Sequence, residues 1–268
     1  MLQVFPISVR LRDKRELVLN SNNEVSLVGL LQKNKKYVYD KQNDSIEITV
    51  ENSEKKLSKI KLFGITKNFD TLLAFGDETY GMIPIENASV VDIGMSIGDT
   101  PIYFAVKGAS RVIGLEPFPK NYELAQQNVK INNLEDKITL LLAGCSGKEG
   151  YTHIDPLYES DMRSRVSDTD TGMKVPLLTL EGILKQYDVS EAVLKMDCEG
   201  CEYETILSTP SDILQKFKYM QIEYHFGYKN LKEKLEKTGF NVQITKSETY
   251  YKNGKIQFFR GHINAVRK

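Results

Sequence analysis

The stretch Val90-Val91-Asp92-Ile93-Gly94-Met95-Ser96-Ile97-Gly98-Asp99-Thr100 runs an apolar strand into an acid, two spaced glycines and the start of a helix. In open α/β sheets ligands sit beyond the carboxyl ends of the strands, and glycine lets backbone approach where a side chain would collide. Two nucleotide-like ligands compete for such a turn. A dinucleotide asks for G-x-G-x-x-G and a helix N-terminus aimed at a doubly anionic pyrophosphate, and that triplet is missing. Asp92 stands instead just before the turn, where a carboxylate repels pyrophosphate and attracts the ammonium and sulfonium charges of S-adenosylmethionine. The sign of Asp92 favours the methyl donor, with Gly94, Met95, Ser96, Gly98, Asp99 and Thr100 forming the turn around it. The alternative is structural: an acid at a strand end that only bonds turn amides.

Further along, Val112-Ile113-Gly114-Leu115 ends in Glu116, Pro117 and Phe118. An acid at the end of the second strand is placed to accept both hydroxyls of an unphosphorylated ribose, and Phe118 is a candidate for the adenine face. Ala143 and Gly144, after the third strand, would bring backbone groups to the adenine edge. The densest acidic cluster is Lys195-Met196-Asp197-Cys198-Glu199-Gly200-Cys201-Glu202. Alternation puts Lys195 and Asp197 on one side of a strand, with Glu199 just past its end. Asp197 and Glu199 are therefore candidates to orient or deprotonate a nucleophile. His225, near the end of the next strand with Glu223, titrates close to neutrality in its ordinary state and is the candidate general base. Cys198 and Cys201 have C-x-x-C spacing, which suits a redox pair or half a zinc site. No second C-x-x-C accompanies them, and small apolar packing is the simpler use of both. Asp197, Glu199, Glu202 and Glu223 also offer oxygen ligands for a divalent cation, although the chemistry envisaged needs no metal.

Strand ends of this kind need a sheet to hold them. After Pro84 the chain alternates apolar strand, glycine-bearing turn and helix, the pattern of a mostly parallel sheet covered by helices. Strands are expected at 88–93, 111–116, 138–143, 192–197 and 219–224. One helix starts near Pro119, with Leu124, Ala125, Val129 and Ile131 on one face, and another covers 231–237. Segments 241–245 and 255–266 suit an antiparallel edge turning at Asn253 and Gly254. The polar stretch 151–174 reads as a loop over a site, with Arg163 and Arg165 placed to meet an acidic substrate. Residues 1–80 read as a separate β-rich region with strands at 16–19, 36–39 and 45–50, leaving 81–268 as the ligand-binding domain.

Composition sets outer bounds. The chain has 268 residues, 41% of them hydrophobic, and 36 basic residues balance 36 acidic ones. A core is within reach, and zero net charge offers no long-range attraction to nucleic acid or anionic lipid. Three cysteines and the lack of a secretion-type leader fit a reducing cytoplasm, and no apolar run reaches the ~18 residues of a membrane span. The residues name no oligomeric state.

Taken in order, Val91-Asp92-Ile93-Gly94 with Gly98, Gly114-Leu115-Glu116-Pro117 with Asn121, the 194–202 block and Ile222-Glu223 resemble the FkbM family of S-adenosylmethionine-dependent methyltransferases over about 75–246. The Lys-x-Asp-x-Glu-Gly-x-Glu block is the specific part. The resemblance implies a Rossmann-like class I methyltransferase core, S-adenosylmethionine as cofactor, and methylation of oxygen on a sugar-like or other small-molecule acceptor. Met95-Ser96 replaces the family's usual Ala-Asn, and Cys198 and Cys201 stand where small apolar residues are usual. Two rival functions stay open: RNA methylation, for which Lys229 to Lys237 is the best basic run, and a module that binds the donor without chemistry.

Overall fold

The computed structural model describes residues 37–65, 79–154, 172–252 and 255–268 continuously, with 5–11, 14, 16–21, 24, 25, 27–29, 74 and 75 besides. The chain divides into two compact units, Met1–Tyr80 and Gly81–Lys268. In the first, β1 (Ile7–Arg10) and β2 (Glu16–Leu19) form an antiparallel pair, and β3 (Tyr37–Asp40), β4 (Ser45–Glu51) and β5 (Leu57–Phe63) form an antiparallel meander. Period-two alternation in β4 sends Ile46, Ile48 and Val50 inward, and all three are buried.

The second unit carries β6 (Ser89–Ile93), α1 (Asp99–Val106), β7 (Arg111–Glu116), α2 (Pro119–Ile131) and β8 (Ile138–Leu142). Next come β9 (Gly144–Cys145), β10 (Gly150–Ile154), β11 (Met173–Leu178), α3 (Leu180–Gln186) and β12 (Ala192–Met196). Then follow α4 (Cys201–Ser208), α5 (Ser211–Leu214), β13 (Phe217–Tyr224), α6 (Lys229–Lys237), β14 (Phe240–Ile244), β15 (Glu248–Lys252) and β16 (Lys255–Arg267). The main sheet runs β14-β16-β13-β12-β6-β7-β8. The five strands from β13 to β8 pair in parallel and β16 is antiparallel to both its neighbours. This is a Rossmann-like α/β fold. The parallel strands are apolar along their length because helices cover both faces, and Val90, Val91, Val112, Ile113, Val193 and Leu194 are fully buried.

Three expectations about elements need correction. The C-terminal pair is not a simple edge: β16 enters the sheet between β13 and β14, and the additional strand β15 also pairs with it. The 151–174 stretch is not all loop, since its ends are the antiparallel strands β10 and β11, while Arg163 and Arg165 lie outside the described residues, as do Asn253 and Gly254. In α2 the inward face carries Asn121, Ala125, Asn128 and Val129, and Ile131 is exposed. At ~100° per residue Ile131 lies about 240° round from Ala125, on the far side.

Candidate active site

The β6–α1 turn is built from backbone. Gly94 and Met95 N–H groups both donate to the Leu115 carbonyl at 3.0 Å, anchoring the turn to the end of β7. Gly94 (φ +80°) can be nothing larger, because a Cβ there would lie 1.8 Å from the Asp197 carbonyl oxygen. Gly98 (φ +84°) brings the start of α1 against α2, with a hypothetical Cβ 3.0 Å from Ala125. Asn128 reaches up from α2 and donates to the Ile97 carbonyl at 2.9 Å. Only Gly94 and Ser96 of residues 91–100 escape full burial, so the turn offers a ligand backbone rather than side chains.

Glu116 joins this turn to the next. One carboxylate oxygen accepts from the Ser96 N–H at 3.0 Å, the other from the Phe118 N–H at 3.1 Å, and Asn121 adds a contact at 3.4 Å. Burial pushes its carboxyl up to about 7, against the pull of those donors. Oε1 is engaged by two donors, whereas Oε2 keeps a second lone pair, so the group can still accept a hydroxyl there. Pro117 and Phe118 are half-buried beside it, and the Ala143 N–H donates to the Glu116 carbonyl at 3.2 Å. Gly144 is pressed against Leu177, with Pro117 3.9 Å from where its Cβ would be. Glu116, Pro117, Phe118, Ala143, Gly144 and the Ser96 backbone therefore converge.

Beneath the turn lies a buried charge network that sequence reasoning misassigned. Asp92 is fully enclosed: its carboxylate meets the Lys195 ammonium at 3.0 Å and accepts from the Thr100 hydroxyl at 2.5 Å. It faces Lys195 rather than a ligand's positive charge. Lys195 also donates to the Gly94 carbonyl at 2.7 Å. Burial alone would strip its proton, but Asp92 and Asp197 hold the ammonium well above its usual range. Asp99 and Thr100 are buried in the first turn of α1. Met95 is fully buried, its sulfur 2.5 Å from where a Gly114 Cβ would stand, so its side chain packs under the turn. Asp92, Met95, Asp99 and Thr100 thus shape the turn from below.

Across the crevice, β12 and β13 end in the second cluster. His225 is buried, with Nε2 3.4 Å from Glu199 and 3.5 Å from Glu223, and Nδ1 3.4 Å from Glu202. Burial opposes its charge, but these three carboxylates push the imidazolium up to about 12. The three carboxylates thus favour the protonated ring, where the sequence suggested a base titrating near neutrality. Asp197 moves the other way, its carboxyl raised well above the ordinary range by burial and then by the charge of Glu223. Glu223 is held far below it: burial would raise it, and the bonds to His225 and His262 prevail. One ligand atom each of Asp197, Glu223 and His225 lie within 4.8 Å of one another.

His262 and Arg260 were not foreseen. They reach Glu223 at 3.1 and 3.5 Å from β16, because antiparallel pairing sets His262 directly opposite Glu223. No local motif announces a partner 39 positions away; only the register of two strands does. The cysteines also differ from expectation. Cys198 and Cys201 form a disulfide, not two packing thiols. Glu199 (φ +57°) and Gly200 (φ +126°) turn the chain back sharply, bringing the flanking Cα atoms to 5.6 Å, within the range a disulfide spans.

The methyltransferase FkbM domain matches residues 92–244, more than half of the chain. The chain belongs to the FkbM methyltransferase family and is a methyltransferase with S-adenosylmethionine as its cofactor. No curated protein shows significant sequence similarity to it. Among solved structures it is similar to the METTL16 methyltransferase domain, with 13% identity over 97% of this chain and 86% of that one, at a TM-score of 0.49. It is also similar to M. capricolum TrmK, solved with S-adenosyl-homocysteine, at 15% identity, 71% and 66% coverage and a TM-score of 0.42. The precorrin-6y C5,15-methyltransferase of Geobacter metallireducens gives 14%, 71% and 87%, with a TM-score of 0.40. Among the described residues no helix is long and apolar enough to cross a membrane.

Proposed function

We propose that the protein methylates a hydroxyl oxygen of a small, sugar-like acceptor, with Asp197 taking the hydroxyl proton. The observation that carries this reading is the close approach of Gly94 to the Asp197 backbone. It sets a half-buried acid of raised proton affinity beside the turn that would hold the donor. Bound S-adenosylmethionine supplies an electrophilic methyl group on a sulfonium. A ribose hydroxyl falls to Glu116, the adenine to Phe118 and to the backbone of Ala143 and Gly144, and the amino-acid end to the half-buried turn at Gly94 and Ser96. Asp197 orients the acceptor hydroxyl and receives its proton as the O–CH3 bond forms and the S–CH3 bond breaks, a role that its raised proton affinity favours. His225, protonated, holds Glu199 and Glu223 in place and balances their charge at the acceptor's edge. We take the setting to be the cytoplasm, where the Cys198–Cys201 bridge would be a transient one. Net charge of zero and lysines of α6 that pair with its own glutamates, Lys232 with Glu236 and Lys237 with Glu233, favour a small acceptor over RNA.

Calorimetric titration with S-adenosylhomocysteine, followed by transfer of labelled methyl to a panel of hydroxylated sugars and phenols, tests the proposal. Micromolar binding, about 8.2 kcal/mol, and transfer reduced about 100-fold or more in Asp197→Asn are expected. Transfer that survives intact in Asp197→Asn, or that goes only to RNA, overturns it.

A further inference from the structure

We propose that Cys198 and Cys201 form a reversible thiol–disulfide exchange site that sets the position of Glu199, with a small or protein dithiol as the reacting partner. The proposal rests on the methyltransferase reading only for its effect on turnover.

The bridge closes the four-residue loop Cys198-Glu199-Gly200-Cys201 between the end of β12 and the start of α4. Both residues inside the loop have left-handed backbone, Glu199 at φ +57° and Gly200 at φ +126°. For a glutamate that conformation is disfavoured and persists where its surroundings impose it. The covalent link supplies the imposition, and the outcome is that the Glu199 carboxylate rests 3.4 Å from His225. The loop also meets both halves of the site. Cys198 N–H donates to Glu202 at 3.1 Å, the acid that faces the other nitrogen of His225. The Cys198 Cα would lie 3.3 Å from a Cβ on Gly94.

Both sulfur-bearing residues are partly exposed, whereas the third cysteine, Cys145, is buried with its thiol pushed up to about 12 by burial. Thiolates are the attacking species in exchange, so chemistry concentrates on the bridge and not on Cys145. A bridge in a reducing compartment is typically transient and redox-sensing. The step balances as follows. A thiolate of the dithiol attacks one sulfur of the bridge, the Cys198–Cys201 S–S bond breaks, and a mixed disulfide forms. The second thiol of the partner then displaces the protein sulfur. Two electrons and two protons have passed to the protein, which gains two thiols while the partner becomes a disulfide. Freed of the link, Glu199 relaxes from its left-handed conformation and withdraws from His225.

The test uses the full chain and dithiothreitol, followed by reoxidation with oxidised glutathione. Intact mass should rise by two hydrogens, with alkylatable thiols increasing by two. The imidazole NMR signals of His225 should move, with His153 on the separate sheet as reference, and methyl transfer should fall at least about 5-fold, the lower end of ordinary coupling between sites. Reoxidation should restore all four. Cys198→Ser should hold the His225 signal at its reduced position whatever the reagent. Three free thiols that no oxidant pairs would overturn the proposal. So would a bridge that reduces while the His225 signals stay in place, which marks a plain staple. Should S-adenosylhomocysteine fail to bind while reduction still moves the His225 signals, the exchange site stands and the methyl-transfer reading falls.

Discussion

The two sides of the crevice solve the burial of charge in different ways. On the donor side Asp92 is matched by Lys195 and Thr100, and Glu116 by the Ser96 and Phe118 amides. On the acceptor side Asp197, Glu199, Glu202 and Glu223 crowd one protonated imidazole, with Arg260 and His262 assisting from β16. A matched set gives a rigid cradle that any member of the fold can reuse. In the crowded set, burial and then the charge of Glu223 raise the proton affinity of Asp197, whereas on the donor side burial alone raises that of Glu116, against its hydrogen-bond donors.

The sharpest way to break this contrast is to unbalance the donor side. Lys195→Met leaves the Asp92 carboxylate buried without its cation, and breaking a buried pair from one partner costs about 3–5 kcal/mol. Urea unfolding should show that loss, and the Asp92→Asn, Lys195→Met double variant should recover most of it. Equal losses in the single and double variants would mean that the pair contributes no electrostatic balance. Next in size is Glu116→Ala. Removing an acceptor of a ribose hydroxyl should weaken S-adenosylhomocysteine binding by about 0.5–1.5 kcal/mol, roughly 2- to 13-fold, read by calorimetry on protein whose melting is otherwise cooperative.

The third prediction concerns the acceptor side. His225 is held protonated to about 12 in the fold, against 6.5 when unfolded. A raised cationic pKa contributes stability that is complete below 6.5 and is lost as pH climbs towards the folded value. Stability should therefore fall with rising pH, by at most about 1.4 kcal/mol per unit for one proton. Glu116 acts in the same sense, since its neutral form is favoured in the fold, but its window runs from 4.5 to about 7. Denaturant titrations between about pH 7.5 and 8.5 lie above the Glu116 window and below that of Cys145, and His225→Gln should flatten the slope there.

The same contrast explains what the sequence could convey. The donor side was legible because it is local: an apolar strand, a glycine turn and an acid at the next strand end lie within 25 positions from Asp92 to Glu116. Strand β7 falls where alternation and turns put it, and Glu116 meets the turn. What the sequence hid was orientation. Asp92 reads as an acid beside a ligand turn, and only the sheet register that sets Lys195 opposite it turns that carboxylate inward. The acceptor side is assembled across β12, β13 and β16, so the ionisation of His225 depends on strand register and on the turn that places Glu199 and Glu202, which no motif spells out. The extra strand β15 and the insertion of β16 between β13 and β14 are likewise properties of long-range pairing.

The smallest expected effect is none, and it divides the two halves most cleanly. Asp197, Glu223 and His225 have the ligand types and the spacing to hold a divalent cation. A metal, however, needs the lone pair of a neutral imidazole nitrogen, and both nitrogens of His225 face carboxylates that keep it protonated up to about 12. The ring is thus already the cation around which the acids are arranged, and a second cation would have to displace its proton. Methyl transfer should accordingly be unchanged after dialysis against a chelator and unchanged by added magnesium or manganese. If chelation abolished transfer and magnesium restored it, His225 would have to ionise differently with metal present. The acid beside Gly94 would then be a metal ligand, and proton removal would pass from Asp197 to another group.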